Sequence, residues 1–149
     1  MFLTKTYSIR DGIYYNSNAI SSSQSLSIAN IPTNFKLLFK VNTKSSSTSN
    51  SAYLKLGSNA NNCIFIGQLG DNGASGIWVR VNGTNVVQNH SVILPVGENL
   101  IEYSYDNGVQ TFKHETDSIT VNNSQITSRS YLESFITNNY VKELLILPL

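Results

Sequence analysis

Two Asn-Gly pairs, Asn82-Gly83 and Asn107-Gly108, each lie between two runs in which apolar and polar residues alternate. Asn-Gly is the preferred pair for a two-residue hairpin turn, because both central residues of that turn need a positive φ. Alternation with a period of two is typical of a half-buried strand, and a helical period of 3.6 is nowhere sustained in the chain. The two pairs therefore predict antiparallel β-hairpins.

The first hairpin has a predicted register that assigns its side chains to faces. Closing it at the Asn-Gly pair predicts three cross-strand pairs: Val81 with Thr84, Val79 with Val86, and Trp78 with Val87. One face is then aliphatic, and the opposite face carries four side chains: Trp78, Arg80, Asn85 and Val87.

The second hairpin, over residues 99–115, predicts an aromatic pair inside and an opposite-charge pair outside. Tyr103 pairs with Phe112, and Glu102 pairs with Lys113. This arrangement is favourable for an antiparallel ribbon with one buried face.

The composition favours β-structure throughout. Charged residues are only 13% of the chain, and Ser, Asn and Thr, which are poor helix formers, fill much of the remainder. We expect roughly nine to eleven short strands. The C-terminal run Tyr140 to Leu147 is apolar on both faces and should lie inside a sheet or under another layer. The length of 149 residues fits one domain over 1–149, with residues 1–20 forming either an N-terminal arm or the first strand.

The order of these segments resembles the concanavalin A-like lectin/glucanase fold, including its laminin-G-like branches. The segments that carry the resemblance are NFKLLFKV, SAYLKLGS, NCIFIG, GIWVRVNG, VGENLIEYSYDNGVQTFKHETDSITV and NNYVKELLILPL, within residues 20–149. The resemblance implies an all-β, two-sheet antiparallel jelly-roll sandwich of the concanavalin-like kind. Such sandwiches carry many unrelated functions, so function must be argued from the residues.

No catalytic apparatus is evident, and we expect no enzyme activity. Glycoside hydrolysis needs two carboxyl groups about 5–10 Å apart, and no E-x-D-x-E run occurs among the nine acidic residues. Glu98 and Glu102 are the nearest same-strand pair, but Glu98 stands at the strand entry and Glu102 faces Lys113. A glycoside hydrolase therefore remains only a distant alternative.

The residues that commonly bind metals or act as nucleophiles have structural explanations. His114 is predicted to face inward opposite Ile101, and Cys63 lies within an apolar strand. His90 has no nucleophile at a recognisable spacing. The sequence therefore predicts neither a metal site nor a cofactor.

Trp78 is the strongest candidate for ligand binding. With Arg80 and Asn85 beside it, an exposed indole would be a flat apolar platform edged by hydrogen-bonding groups, which is typical of sugar or protein recognition. The alternative is that a loop or a subunit covers this face and makes Trp78 ordinary core. Asp71 and Asn72 join the candidate residues, although one carboxylate and one amide fall short of a calcium site, and a Gly-rich turn is favoured.

Charge and termini limit the partners. The net charge is +1 without a basic cluster, so we expect no nucleic-acid partner, and the N-terminal residues contain no apolar run of a signal peptide or membrane span. We expect a non-enzymatic binding or structural module, with a virion component of tail, baseplate or capsid as the leading context. It would be made in the cytoplasm, reside in a virion or at an extracellular surface, bind glycan or host surface, and assemble with itself or with virion proteins. The alternative is a free carbohydrate-binding lectin module.

Overall fold

The computed structural model describes residues 5–9, 12–16, 24–26, 31–43, 51–68, 74–134 and 141–149. These ranges contain thirteen strands and no helix. None of the described segments is a helix with the length and hydropathy of a membrane span. The strands are β1 (Lys5–Ile9), β2 (Gly12–Asn16), β3 (Gln24–Leu26), β4 (Phe35–Thr43), β5 (Ser51–Asn59), β6 (Asn62–Gln68), β7 (Ala74–Val81), β8 (Thr84–Ile93), β9 (Gly97–Asp106), β10 (Val109–His114), β11 (Asp117–Asn122), β12 (Tyr131–Ser134) and β13 (Val141–Pro148).

The strands form two antiparallel sheets. The seven-stranded sheet has the order β1-β2-β13-β4-β9-β10-β11, and the six-stranded sheet has the order β3-β12-β5-β6-β7-β8. The C-terminal strand β13 pairs with β2 on one side and β4 on the other, which confirms that the apolar C-terminal run lies inside a sheet. β1 and β2, within the first 20 residues, form the edge of the seven-stranded sheet.

The core lies between the sheets and takes side chains from both. Period-two alternation turns every second side chain inward, and burying each large one stabilises the fold by about 1.5–3 kcal/mol. The largest fully buried side chains are Tyr103, Phe35, Phe39, Phe112, Leu37, Leu54, Leu56, Ile64, Ile66, Ile77 and Ile101.

The second hairpin has the predicted register. Tyr103 pairs with Phe112 and Glu102 pairs with Lys113, with positive φ at Asn107. Both aromatic rings are fully buried.

The first hairpin keeps its predicted register for the pairs Val81–Thr84 and Arg80–Asn85 and then departs from it. A shift of one residue occurs at Val79/Arg80, so that Val79 pairs with Val87 and not with Val86. Trp78 consequently pairs with Gln88. The extra residue, Val86, is 46% exposed, whereas Val87 contacts the core. The predicted faces of Val86 and Val87 were therefore wrong, because a β-bulge reverses the alternation beyond the point of insertion.

The Gly-rich turn predicted around Asp71 and Asn72 is flanked by strands, and its own residues lie outside the described part of the chain. β6 extends to Gln68, β7 begins at Ala74, and Gly67 pairs with Gly76. A Cβ at Gly76 would collide with the carbonyl oxygen of Asn89 on β8 and with Ile119 of the opposite sheet. Glycine therefore allows the two sheets and β8 to approach closely at this point.

Candidate functional site

The candidate site lies on the outer face of the six-stranded sheet. Ile64 and Ile66 of β6 and Val79 of β7 belong to the core, so the residues that alternate with them point outward. Phe65 and Trp78 are absent from the core cluster and are cross-strand neighbours on this outer face.

The strand register arranges the outer face in two rows across four strands, β5 to β8. The first row is Lys55, Phe65, Trp78 and Gln88. The second row is Gly57, Cys63, Arg80 and Asn85. Directly opposed side chains on one face are close enough to interact, so each row forms a continuous strip.

Two cations lie over the ring of Phe65. The Nζ atom of Lys55 is 4.3 Å from the ring centroid, and the Cζ atom of Arg80 is 4.5 Å from it. All three side chains are half-buried. Each contact contributes about 0.5–1 kcal/mol at such a site, so the ring restricts both cations to the sheet face.

Arg80 is held in place by neutral acceptors. Its Nε donates to Oδ1 of Asn85 at 2.9 Å, and its Nη1 donates to the carbonyl oxygen of Ala60 at 3.4 Å. Among the described residues, no carboxylate forms an ion pair with this guanidinium. Asn85 is exposed, so the pair presents its remaining N–H groups on the surface.

Trp78 is buried and does not form an open platform. Its side chain is 6% exposed, and its ring stacks on His90 with 5.4 Å between centroids and 5° between planes. The indole is covered, but by a side chain of the neighbouring strand β8, whereas the alternative named a loop or a subunit as the cover and ordinary core as the result. Nδ1 of His90 is buried and has no hydrogen-bond partner in the described part of the chain.

Of the other four predicted site residues, two are in contact and two lie outside the described part of the chain. Arg80 and Asn85 are hydrogen-bonded to each other. Asp71 and Asn72 lie outside the described residues. The sequence analysis missed Phe65 and Lys55. Phe65 had a signal, because it alternates with two core isoleucines and so had to point outward.

The residues considered for catalysis or metal binding, Glu102, His114 and Cys63, lie in structural environments. Glu102 forms an ion pair with Lys36, with 2.9 Å between Oε1 and Nζ, and also faces Lys113. His114 is 6% exposed and Cys63 is fully buried. Within the described ranges, no three His, Cys, Asp or Glu residues form a group able to hold a metal.

No protein-family model matches the sequence, and a search of curated proteins finds no match. Solved structures do match. A toad ovary galectin in complex with thio-digalactose superposes with a TM-score of 0.66 and 14% identity, covering 85% of this chain and 99% of the galectin. The fold is a galectin-like jelly roll.

Two bacterial proteins have similar structures. The carbohydrate-binding module CBM66 of Bacillus subtilis matches 97% of this chain and 88% of its own, with a TM-score of 0.57 and 9% identity. The GH43 protein BlXynB of Bacillus licheniformis matches with a TM-score of 0.65 and 5% identity over 93% of this chain, but over only 33% of its own. At these identities the likeness shows the fold, and it confirms the predicted lectin-like jelly roll. It gives no support to the expected virion context.

Proposed function

We propose that this protein is a non-enzymatic carbohydrate-binding module that binds sugar on the outer face of the six-stranded sheet. The observation that carries the proposal is the position of Arg80, whose guanidinium lies over the ring of Phe65 and is hydrogen-bonded to Asn85. Planar polar side chains held in fixed positions suit sugar hydroxyl groups, because each hydroxyl both donates and accepts a hydrogen bond.

The donors of this face are arranged before any ligand arrives. Phe65 holds the ends of two long side chains that would otherwise lose about 2 kcal/mol of rotamer entropy each on binding. Gln88 and Asn85 are exposed on β8 and contribute amide groups at the side of the same face. Phe65 thus acts as a positioning residue, while Arg80 and the amides contact the ligand.

The structural neighbours support the same class of ligand. One is a galectin in complex with thio-digalactose, and another is a carbohydrate-binding module. The resemblance to the GH43 protein covers a third of that chain.

The test is binding of the purified chain to an array of neutral and charged glycans, followed by calorimetry on the best ligand. We expect Arg80→Gln to weaken binding at least about tenfold, because a charged hydrogen-bond donor is lost. Phe65→Leu should weaken binding less, because the cations remain but are no longer held.

The matched control is Lys113→Gln, which removes an exposed cation from the other sheet. It should bind as the unaltered chain does. Failure to bind any glycan, or unchanged binding by Arg80→Gln, would overturn the proposal.

Self-assembly and an extracellular or virion location remain predictions. One structural neighbour, CG-16 from chicken liver, is a homodimeric agglutinin with 14% identity and a TM-score of 0.64. Light scattering of the purified chain tests self-association directly.

A further inference from the structure

We infer that the site selects anionic sugars, those that carry a carboxylate or a sulfate; this inference rests on the proposed function. The first observation is the distribution of acidic residues, since described cations lie on both sheets, with Lys36, Lys40 and Lys113 on the seven-stranded one. The acidic residues whose side chains the structure describes lie on β9, on β11 or in the turn between β10 and β11, and these are Glu98, Glu102, Asp106, Glu115 and Asp117. The described strands of the six-stranded sheet contain the cations Lys55 and Arg80 and one acidic residue, Glu133.

The backbone of Glu133 lies far from that of Arg80 in the six-stranded sheet. The backbone register pairs Glu133 of β12 with Lys55 of β5. β5 and β6 separate β12 from Arg80 on β7, a distance of three strand spacings or about 14 Å. Among the described residues, no carboxylate forms an ion pair with Arg80.

The remaining donors of Arg80 match an anionic group. A guanidinium has five N–H groups, and Nε–H and one Nη1–H are bonded to Asn85 and Ala60. Within the described part of the chain the second Nη1–H and both Nη2–H groups have no hydrogen-bond partner, and they belong to the rigid fork of guanidinium donors that binds carboxylate or sulfate oxygens. The fork is held in a fixed orientation because the guanidinium also lies over Phe65.

A neutral sugar would form no charge–charge interaction with the guanidinium of Arg80. The guanidinium of Arg80 is a half-buried cation, and its acceptors among the described residues, Asn85 and Ala60, are neutral. A charged hydrogen bond is roughly twice as strong as a neutral one. The site therefore discriminates by charge as well as by hydroxyl pattern.

The experiment compares glycans that share a backbone and differ only in the charged group. Immobilised probes are lactose beside sulfated lactose and sialyl-lactose, and dextran beside dextran sulfate and carboxymethyl dextran. We expect the charged member of at least one series to bind ten times more tightly than its neutral partner, and that advantage to fall as salt is raised. The sulfate and carboxylate probes show which anion is preferred.

Variants assign the preference to Arg80. Arg80→Gln should remove the advantage of the charged probe, Arg80→Lys should keep part of it as a point charge, and Lys113→Gln should leave it unchanged. Thermal denaturation confirms that each variant is folded. Equal binding of charged and neutral probes would overturn this inference alone, whereas no binding to any glycan would overturn the proposed function with it. Loss of the preference in Lys113→Gln to the same extent would also overturn it, because the effect would then come from net charge.

Discussion

Trp78 and His90 stack with their rings 5° from parallel and their centroids 5.4 Å apart. The two residues lie on adjacent strands, β7 and β8, and the indole is 6% exposed. This contact makes the chain's only tryptophan a structural part of the outer sheet face. The groups that remain available to a ligand are therefore those around Phe65, which is the cross-strand neighbour of Trp78 on β6.

The stack predicts the fluorescence of Trp78, which is the only tryptophan in the chain. Its emission should be weakly quenched by acrylamide in the folded protein. His90→Ala should increase quenching and lower the free energy of unfolding by about 1 kcal/mol, because a stacked aromatic partner is removed. Gln88→Ala is the control, since Gln88 is exposed and lies directly opposite Trp78 in the register. Equal quenching in the folded and the urea-unfolded protein would show that the indole is open to solvent.

The β-bulge predicts unequal effects at two neighbouring valines. Val87→Ala should lower the free energy of unfolding by about 1 kcal/mol, because Val87 contacts the core. Val86→Ala should change it by less than about 0.5 kcal/mol, because that side chain is 46% exposed. Urea denaturation measures both changes. The opposite order would indicate a regular hairpin without the bulge.

Gly76 and Gly83 should differ in their response to alanine. Gly83→Ala places a side chain at a φ of +79° with an ordinary contact to Oδ1 of Asn61 at 3.8 Å, which costs about 1 kcal/mol. Gly76→Ala places a Cβ against the Asn89 carbonyl, a backbone atom that cannot rotate away, and should cost on the order of 3 kcal/mol. Chemical denaturation of both variants checks the difference. Similar losses at the two positions would contradict the close approach at Gly76.

Tyr103 predicts a loss of stability at high pH. Burial raises the pKa of its phenol well above the ordinary value of 10.0, although the nearby charge of Arg129 acts in the opposite direction. Below about pH 10 the phenol is neutral in both states, so its contribution is complete. Above that pH it ionises in the unfolded chain but not in the folded one, so the free energy of unfolding falls as pH rises toward the folded-state pKa.

Tyr103→Phe separates this effect from the titration of other tyrosines. The hydroxyl donates to Oε1 of Gln110 at 2.8 Å, and its loss leaves that buried acceptor unpaired. We expect a decrease of about 1–3 kcal/mol at neutral pH. The variant should then lose less further stability than the unaltered protein between about pH 9 and pH 11. Parallel pH profiles for the two proteins would contradict the assignment to Tyr103.

In the second hairpin, the local sequence pattern was enough to predict the strand register. Asn107-Gly108 determines the turn, and alternation determines which side chains are inward, so Tyr103 and Phe112 pair as predicted. The first hairpin has an equally clear turn, but Val86 and Val87 are chemically identical. Either could fill the core, and only packing against the opposite sheet selects Val87.

The candidate site could not be predicted from any single segment of the sequence. Phe65, Arg80 and Lys55 lie on three different strands, and their meeting depends on the order β5-β6-β7 in the sheet. The burial of Trp78 likewise depends on His90, which the bulged strand β8 brings against it.

The sequence by itself determined the all-β class, the two turns and the inward face of most strands, because turn chemistry and side-chain alternation are properties of a few consecutive residues. The tertiary structure decided the bulge, the covering of Trp78 and the assembly of the cation–aromatic face. Those features follow from packing between strands and sheets, where the free energy depends on shapes and distances that residues acquire only when distant segments meet.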